Sequence, residues 1–227
     1  ELAHYAEQFK NKTVLCNCDN PFISNFPKFF LQNFNVLGLK RLICTSFSPY
    51  ASVQPSLFES FNDNNSKGYI LDISKISKSD FTSETISDFL LSTHCVKELN
   101  GNGDFRSLEC IDYLKESDIV VTNPPFSLFK EMVSEIMKYN KKFLIIGNQN
   151  ALTYKEIFPL IQNNLVWTGY QFGEMKFRVP QDSEPRSTRY WVDETGQKWR
   201  SLGNAMWLTN LDNERRHEKL RLTQCFN

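Results

Sequence analysis

The length and composition of the chain fit one α/β domain with a sizeable core. The chain has 227 residues, of which 41% are apolar and 23% are charged, and these fractions are ordinary for a globular protein. No apolar run approaches the roughly 18 residues that a membrane helix needs, and the first residues lack the pattern of a signal peptide. The 26 basic and 26 acidic residues cancel, so the net charge neither supports nor excludes a nucleic-acid partner.

Six cysteines and three histidines form no metal-binding pattern. Cys16 and Cys18 form a C-x-C without a second pair, which differs from a zinc knuckle. Because residues i and i+2 of a strand share one face, both are interpreted as small core residues on a buried strand. Zinc hydrolases, P-loop NTPases and α/β-hydrolases are disfavoured because their motifs are missing. The cysteine usage indicates a reducing, cytoplasmic location, and no metal is expected.

The first half of the chain alternates between short apolar strands and helical patterns. Strands are predicted at residues 13–18, 41–45, 68–73 and 95–99. A helix follows the first strand and ends at Gly38, and its apolar face consists of Phe26, Phe29, Phe30, Phe34 and Leu37. Residues 47–67 are predicted to form a long surface loop, residues 74–92 a connector and residues 100–103 a tight turn.

The second half continues this alternation and ends in short strands. Helices are predicted at residues 111–115 and 153–161, and a third helix begins near Phe126, with Phe129, Val133, Ile136 and Met137 on the same face. Strands are predicted at residues 118–122, 142–146, 165–170, 174–179, 189–193 and 204–211. This order predicts an α/β fold with a mostly parallel sheet flanked by helices and antiparallel strands at the C-terminal edge.

The strongest functional signal lies in residues 118–126 (DIVVTNPPF), where a predicted buried strand leads directly into Asn-Pro-Pro-Phe. Ligands bind at the carboxyl ends of strands in an open parallel sheet, so Asn123 is well placed for a site. Pro124 and Pro125 each fix φ at about −65° and bias the preceding residue towards an extended conformation. The motif therefore predicts a rigid loop with outward-facing carbonyls and the ring of Phe126 at its end.

Such a loop suits the methylation of an exocyclic amine on a base. The side-chain oxygen of Asn123 and the carbonyl of Pro124 could each accept one N–H, which would turn the lone pair of the nitrogen towards a sulfonium methyl group. Catalysis would come from positioning and from hydrogen bonds at the transition state, without a strong base. Phe126 is predicted to stack on a base that leaves the duplex. The structural alternative is a rigid turn in which Asn123 is a helix N-cap.

Five segments carry a family resemblance. They are residues 14–26 (VLCNCDNPFISNF), 103–107 (GDFRS), 118–131 (DIVVTNPPFSLFKE), 142–161 (KFLIIGNQNALTYKEIFPLI) and 203–211 (GNAMWLTNL). With them the chain resembles class I methyltransferases, and within these the EcoRI-type adenine-specific DNA methyltransferases. The resemblance covers nearly the whole chain. It implies a Rossmann-like fold and transfer of a methyl group from S-adenosylmethionine to N6 of adenine in duplex DNA by base flipping.

The resemblance also implies roles for matched positions. The loop after the first strand would surround the methionine part of S-adenosylmethionine with Cys18, Asp19, Asn20, Pro21, Phe22 and Ser24. Asp104 would accept a hydrogen bond from the amino group of the cofactor's adenine, and Phe105 would pack near that ring. The target base would be held by Asn123, Pro124, Pro125 and Phe126. No metal is required.

Two segments depart from the pattern of most class I methyltransferases. Residues 24–26 (SNF) stand where a Gly-x-Gly usually follows the first strand, and residues 44–46 (CTS) provide no acid for the cofactor ribose. Residues 1–211 are predicted to form the catalytic domain and residues 212–227 a C-terminal tail. Members of the family continue beyond a segment like residues 215–220 (RRHEKL) into a portion that helps recognise DNA. The tail is therefore interpreted as a truncated target-recognition region or as the end of a chain with reduced target recognition.

Basic residues interleaved with aromatic residues make the β-rich end a candidate DNA contact. The predicted DNA-binding residues are Lys176, Arg178, Arg186 and Arg189, with Lys198 and Arg200 as further candidates. The aromatic residues of the same stretch are Phe177, Tyr190, Trp191 and Trp199. The alternative is an antiparallel sheet edge that carries its charges on the solvent face.

Three functions remain open from the sequence. The first is a cytoplasmic adenine-specific DNA methyltransferase of a restriction-modification system, with duplex DNA and a cognate restriction endonuclease as partners and no membrane association. The second is a methyltransferase of rRNA or of a protein amide, because Asn-Pro-Pro-aromatic also serves such enzymes. The third is a catalytically inactive module that binds nucleic acid or cofactor, which the missing glycines favour. The resemblance favours the first function, and adenine over cytosine.

Overall fold

The computed structural model describes residues 1–47, 67–77 and 83–218. Their strands are β1 (Thr13–Asn17), β2 (Arg41–Ser46), β3 (Tyr69–Ile73), β4 (Val96–Glu98), β5 (Ile119–Thr122), β6 (Lys142–Asn148), β7 (Trp167–Thr168), β8 (Met175–Arg178), β9 (Tyr190–Val192), β10 (Lys198–Leu202) and β11 (Ala205–Thr209). Their α-helices are α1 (Asn25–Gln32), α2 (Ser83–Ser92), α3 (Leu108–Glu116), α4 (Phe129–Lys138) and α5 (Phe158–Gln162). Short 3-10 segments lie at Leu2–Phe9, Phe126–Leu128, Gln149–Thr153 and Glu214–His217.

An eight-stranded sheet organises the molecule, with the strand order β4-β3-β2-β1-β5-β6-β11-β7. The four middle strands, β2, β1, β5 and β6, pair in parallel. The outer strands pair antiparallel, β3 and β4 on one side and β11 and β7 on the other. A separate antiparallel sheet has the order β8-β10-β9. The carboxyl ends of the four parallel strands therefore share one edge.

Helices cover both faces of the large sheet because its middle strands are apolar on both sides. Along β1, Val14 and Cys16 belong to one buried cluster and Leu15 to the other, since successive side chains of a strand point to opposite faces. The first cluster includes Phe30 of α1, and the second includes Met132 of α4. Burial on both faces is typical of parallel strands. None of the helices in the described ranges has the length and apolar character that a bilayer crossing requires.

Residues from the two ends of the described chain meet beside the sheet. The side-chain amide of Gln8 donates to the backbone carbonyl of Asp212 at 2.7 Å. The side-chain amide of Asn213 donates to the hydroxyl of Tyr5 at 3.4 Å. The rings of Tyr5 and Phe9 are fully buried in the core. The amino-terminal segment therefore packs against residues more than 200 positions away in the sequence.

The predicted α/β architecture is confirmed. Every strand that the sequence predicts within the described residues is present, and the antiparallel strands β11 and β7 lie at the C-terminal edge as expected. Strand β10 was not predicted, because its sequence KWRSL mixes basic and apolar residues without a clear alternation. Except for its first and last residues, the predicted loop at residues 47–67 lies outside the described residues.

The helix predictions need correction at several places. α1 ends at Gln32 instead of continuing to Gly38, because the side chain of Asn33 donates to the carbonyl of Phe29 at 2.8 Å and residues 33–38 form turns. The predicted connector at residues 74–92 contains α2, whose Ile86 and Leu90 lie one turn apart and are buried.

Two further helices differ in their bounds. α3 begins earlier than predicted because the hydroxyl of Ser107 accepts the N–H of Cys110 at 3.2 Å as an N-cap. The helix predicted at residues 153–161 is helical only from Phe158, and a 3-10 segment precedes it. Phe126 belongs to a 3-10 turn and is 45% exposed, so it does not share the buried face of α4.

Candidate active site

A cavity of about 690 Å³ lies at the carboxyl ends of the parallel strands. This is the edge at which open parallel sheets bind ligands, and the volume is typical of small-molecule sites. The loops after β1, β2 and β5 and the turn before α3 supply its lining. The lining residues are Cys18, Asn20, Ile23, Ser24, Ser46, Phe47, Gly103, Asp104, Phe105, Arg106, Asn123, Pro124, Pro125, Phe126 and Leu128.

The loop after β1 enters the cavity through a left-handed residue. Cys18 has φ +73°, a conformation that non-glycine residues rarely adopt, and the chain turns sharply there. Cys16 packs in one core cluster, whereas Cys18 packs against the other and lines the cavity. The prediction that both cysteines share one strand face is therefore wrong, because β1 ends at Asn17. Burial raises the pKa of the Cys18 thiol to about 12, so the thiol stays protonated.

Of the next residues of this loop, two face the cavity and two lie behind its wall. The side-chain oxygen of Asn20 accepts the N–H of Phe22 at 2.9 Å, and its backbone carbonyl accepts the N–H of Ser24 at 2.8 Å. This turn exposes Asn20 and Ser24 to the cavity. Pro21 is buried, and Phe22 packs against the first core cluster. These two residues lie behind the wall of the cavity.

Asp19 also lies behind the wall, where it joins the loop after β1 to the loop after β5. Its side chain is buried, and its carboxylate accepts a hydrogen bond from the hydroxyl of Thr122 at 2.7 Å. It also accepts from the hydroxyl of Ser24 and from the N–H of Asn123. Burial raises the pKa of Asp19 to about 6, while these three hydrogen bonds act in the opposite direction. The Thr122 hydroxyl also contacts the carbonyl of Asn17.

The turn before α3 passes unusually close to the end of β2. A Cβ atom on Gly103, which has φ +80°, would lie 2.2 Å from the carbonyl oxygen of Ser46. Only glycine fits this crossing, and the crossing places Asp104 and Phe105 in the cavity wall. The guanidinium of Arg106 donates to the Asp104 carboxylate at 2.7 and 3.0 Å and lowers its pKa. The backbone N–H of Arg106 also donates to this carboxylate at 2.9 Å, so about one of its roughly four acceptor positions stays open to a ligand.

The Asn-Pro-Pro-Phe loop presents acceptors to the cavity. Asn123 is exposed and lines the cavity, and Pro124 is buried. The carbonyl of Pro125 accepts the N–H of Leu128 at 2.9 Å, whereas no donor among the described residues reaches the carbonyl of Pro124. The N-cap positions of the following 3-10 segment and of α4 are Pro125 and Leu128. The alternative interpretation of Asn123 as a helix N-cap is therefore wrong.

Sequence reasoning missed several residues of the lining. Ser46 ends β2, and its hydroxyl is buried without a hydrogen-bond partner among the described residues. Its position at the carboxyl end of a parallel strand was the signal that could have identified it. Ile23 and Leu128 contribute apolar surface. Arg106 was visible in the GDFRS segment, but its pairing with Asp104 depends on the turn.

The predicted DNA-contacting residues gather on the three-stranded sheet. Trp191 of β9 and Trp199 of β10 face each other across the strands, with ring centroids 6.2 Å apart and planes at 5°. Lys176 lies 5.8 Å from the ring centroid of Trp191, and Arg178 lies 5.4 Å from that of Trp199. The sheet therefore interleaves cations with indole rings, as the sequence predicts.

The other cations of this sheet bind groups of the same sheet and its loops. Arg189 donates to the side-chain oxygen of Asn204 at 3.1 Å, and Arg200 donates to the carbonyl of Glu184 at 3.3 Å. The ammonium of Lys198 donates to the carbonyl of Ser183 at 3.0 Å. Arg186 is exposed in the segment between β8 and β9. The structure thus brings the predicted DNA-contacting residues together on one sheet. Most of their cationic groups, however, already contact other groups of that sheet and its loops.

Comparison with known proteins agrees with this arrangement. The family model of the adenine-specific methyltransferase EcoRI matches residues 1–227. The chain belongs to this family. The EcoRI methylase resemblance expected from the sequence is therefore confirmed, and with it the class I methyltransferase fold, whose antiparallel strand β11 is inserted between β6 and β7.

Three curated members show how far the similarity extends. The chain is 42% identical over 235 residues to type II methyltransferase M.EcoRI of Escherichia coli, with all of this chain and 66% of that protein covered. It is 34% identical to M.MgeORF184P of Mycoplasma genitalium, covering all of this chain and 62% of that protein. It is 35% identical to M.MpnI of Mycoplasma pneumoniae, covering 93% and 57%. The chain thus spans less than two thirds of the length of these EcoRI methylase relatives.

Proposed function

We propose that the chain is an S-adenosylmethionine-dependent DNA methyltransferase that modifies N6 of adenine. One observation carries this proposal: Asn123, Pro124 and Phe126 line the same cavity as the Gly103–Phe105 turn, and no donor among the described residues reaches the carbonyl of Pro124. Two hydrogen-bond acceptors can orient the two N–H groups of an exocyclic amine, and a flat aromatic surface can stack on the base that carries it. The names of the relatives, which are type II methyltransferases, support the same reaction.

The cavity also fits the expected cofactor. It offers the buried hydroxyl of Ser46, which lacks a partner among the described residues, and the carboxylate of Asp104 for polar groups. The ring of Phe105 supplies an apolar wall. The residues expected to hold S-adenosylmethionine are Cys18, Asn20, Ser24, Ser46, Asp104 and Phe105. When bound, this cofactor supplies a methyl group on a positively charged sulfur.

The residues of the catalytic loop orient the acceptor amine. The Asn123 oxygen and the Pro124 carbonyl each accept one N–H, so the lone pair of the nitrogen points into the cavity and away from the base ring. Phe126 stacks on the base and replaces the stacking that the base loses outside the duplex. The prolines fix the loop before the substrate arrives, so little reorganisation is needed at the transition state.

The partners follow from this reaction. Duplex DNA is the substrate, and Lys176, Arg178, Arg186 and Arg189 of the three-stranded sheet and its loop are the proposed DNA contacts. A cognate restriction endonuclease in the same system would recognise the same site. Methylation of DNA and its restriction in the same system imply a cytoplasmic protein. Residues 1–211 form the catalytic domain, and residues 212–227 belong to a region for target recognition.

The test is transfer of labelled methyl from S-adenosylmethionine to mixed-sequence duplex DNA, followed by nucleoside analysis. The chain is expected to place label in N6-methyladenine. Asn123→Ala should reduce the rate by about 10²-fold or more, because one of two preorganised hydrogen-bonding groups is lost. Asn163→Ala is the matched control, since Asn163 is exposed at the end of α5 and lies outside the cavity lining.

Two results would overturn the proposal. Label that enters RNA or a protein amide and not DNA would identify the second class of methyltransferase. Cofactor binding in a titration without transfer to any substrate would identify an inactive binding module.

A further inference from the structure

A second cavity of about 370 Å³ adjoins the active-site cavity. Its lining consists of Phe126, Ser127, Lys130, Tyr154, Lys155 and Glu156. Phe126 lines both cavities, so its ring forms part of the wall between them. The second cavity lies where the loops after β5 and β6 come together, at the same carboxyl edge of the sheet. A base stacked on the ring of Phe126 would therefore lie next to the second cavity.

The charges of the second cavity suit an anion. Lys130 lies 3.7 Å from the carboxylate of Glu156, so these two charges largely compensate each other. Lys155 is exposed and forms no ion pair with the described residues. The cavity therefore carries one uncompensated positive charge. The hydroxyl of Ser127 and the exposed ring of Tyr154 add a hydrogen-bond donor and a flat surface to the lining.

Most basic residues of the three-stranded sheet, unlike Lys155, already contact other groups of the described residues. The cations of Lys176 and Arg178 lie over indole rings, and Lys198 donates to backbone carbonyls. Such contacts reduce the freedom of a side chain to reach a new partner, whereas the ammonium of Lys155 forms no ion pair or hydrogen bond with the described residues. It is therefore available to an anion in the second cavity.

We propose that the second cavity binds the phosphodiester group next to the methylated nucleotide, with Lys155 as its cationic partner. This inference rests on the proposed function, because it requires a DNA strand that delivers a base to Phe126. The flipped nucleotide stays covalently linked to its neighbours, so a backbone phosphate must lie close to the mouth of the base pocket. Contacts to phosphate fix the register of a protein on DNA without reading sequence.

The experiment is a titration of labelled mixed-sequence duplex DNA at several salt concentrations, read by fluorescence anisotropy. Loss of one phosphate contact lowers the slope of log K against log salt by about 0.9. Lys155→Ala should show this decrease, and Lys155→Arg should retain the slope of the unmodified chain.

Lys97→Ala is the matched control. Lys97 is an exposed lysine on the edge strand β4, at the opposite side of the sheet, and its replacement should leave the slope unchanged. Equal slopes for Lys155→Ala and the unmodified chain would overturn the inference while methyl transfer and its dependence on Asn123 persist. Absence of both DNA binding and methyl transfer in the unmodified chain would overturn the proposed function, and this inference with it.

Discussion

Replacement of Asp19 by asparagine should stabilise the fold and impair the site. Asp19→Asn keeps the shape of the side chain and removes its buried charge. An amide has one oxygen in place of two, so it cannot serve Thr122, Ser24 and the N–H of Asn123 as the carboxylate does. The loop that carries Asn123 then loses part of its support. We expect a more stable protein at alkaline pH with a lower rate of methyl transfer.

The magnitude follows from the pKa of Asp19, which burial raises from 3.8 to about 6. The folded state therefore holds the proton more tightly than the unfolded state. The contribution of this group to stability is most favourable below about pH 4 and declines as the pH rises through about 4 to 6. Above that window the charged carboxylate destabilises the fold by about 3 kcal/mol, since each pKa unit corresponds to about 1.4 kcal/mol.

Denaturant unfolding at pH 4 and pH 8, followed by tryptophan fluorescence, measures this effect. The free energy of unfolding of Asp19→Asn minus that of the unmodified chain should be about 2 kcal/mol larger at pH 8 than at pH 4. The hydrogen bonds to Asp19 favour its charged form, and their pH dependence is already contained in the pKa of about 6. Asp112→Asn is the control, because Asp112 forms an exposed ion pair with Lys115 and should shift by less than about 1 kcal/mol.

Two results would refute this reasoning about Asp19. A variant that is destabilised equally at both pH values would show that the buried carboxylate carries no raised pKa. A variant with the unmodified kcat and the unmodified KM for S-adenosylmethionine would show that the contact with Asn123 does not support the catalytic loop.

Two glycine substitutions test the packing around the site. Gly103→Ala should destabilise the fold by about 2–5 kcal/mol in denaturant unfolding, because its Cβ would lie 2.2 Å from the Ser46 carbonyl in a left-handed conformation. Gly196→Ala shares the positive φ but meets no atom within 4 Å, so only about 1–2 kcal/mol is expected there. Gly147→Ala would place a Cβ 2.2 Å from the buried ring of Phe129, so we expect a lower denaturation midpoint and slower methyl transfer as α4 shifts. An unchanged denaturation midpoint in Gly103→Ala or in Gly147→Ala would contradict the close packing at that glycine.

The strands were predictable from the sequence because burial on both faces requires continuous apolar runs. Residues 119–122 (IVVT) and 142–146 (KFLII) are runs of this kind, and they predict buried strands. Helix α2 was not predicted, since only Ile86 and Leu90 of its described side chains are fully buried and its other residues are largely polar. Phe89 also packs against the core, so residues 86, 89 and 90 form a helical face, but the Ser- and Thr-rich residues around it are typical of a connector.

The lining of the candidate site was predictable where a short motif determines the shape of a loop. Asn123 and Gly103 follow from local sequence, because a rigid proline loop and a tight turn are encoded by neighbouring residues. The bracing role of Asp19 was not predictable, since it depends on the left-handed turn at Cys18. Ser46, in contrast, could have been identified, because it ends the predicted second strand at the edge where parallel sheets bind ligands.

The contact between the two ends of the described chain has a consequence for biosynthesis. Gln8 and Asp212 are separated by 204 residues, so a ribosome that adds about 5–20 residues per second needs roughly 10–40 s to produce the second partner after the first. During this time Tyr5 lacks the hydrogen bond from Asn213 that it has in the finished fold. The amino-terminal segment therefore stays partly uncovered until residues 212 and 213 have been synthesised. Within this period it is open to chaperones and proteases.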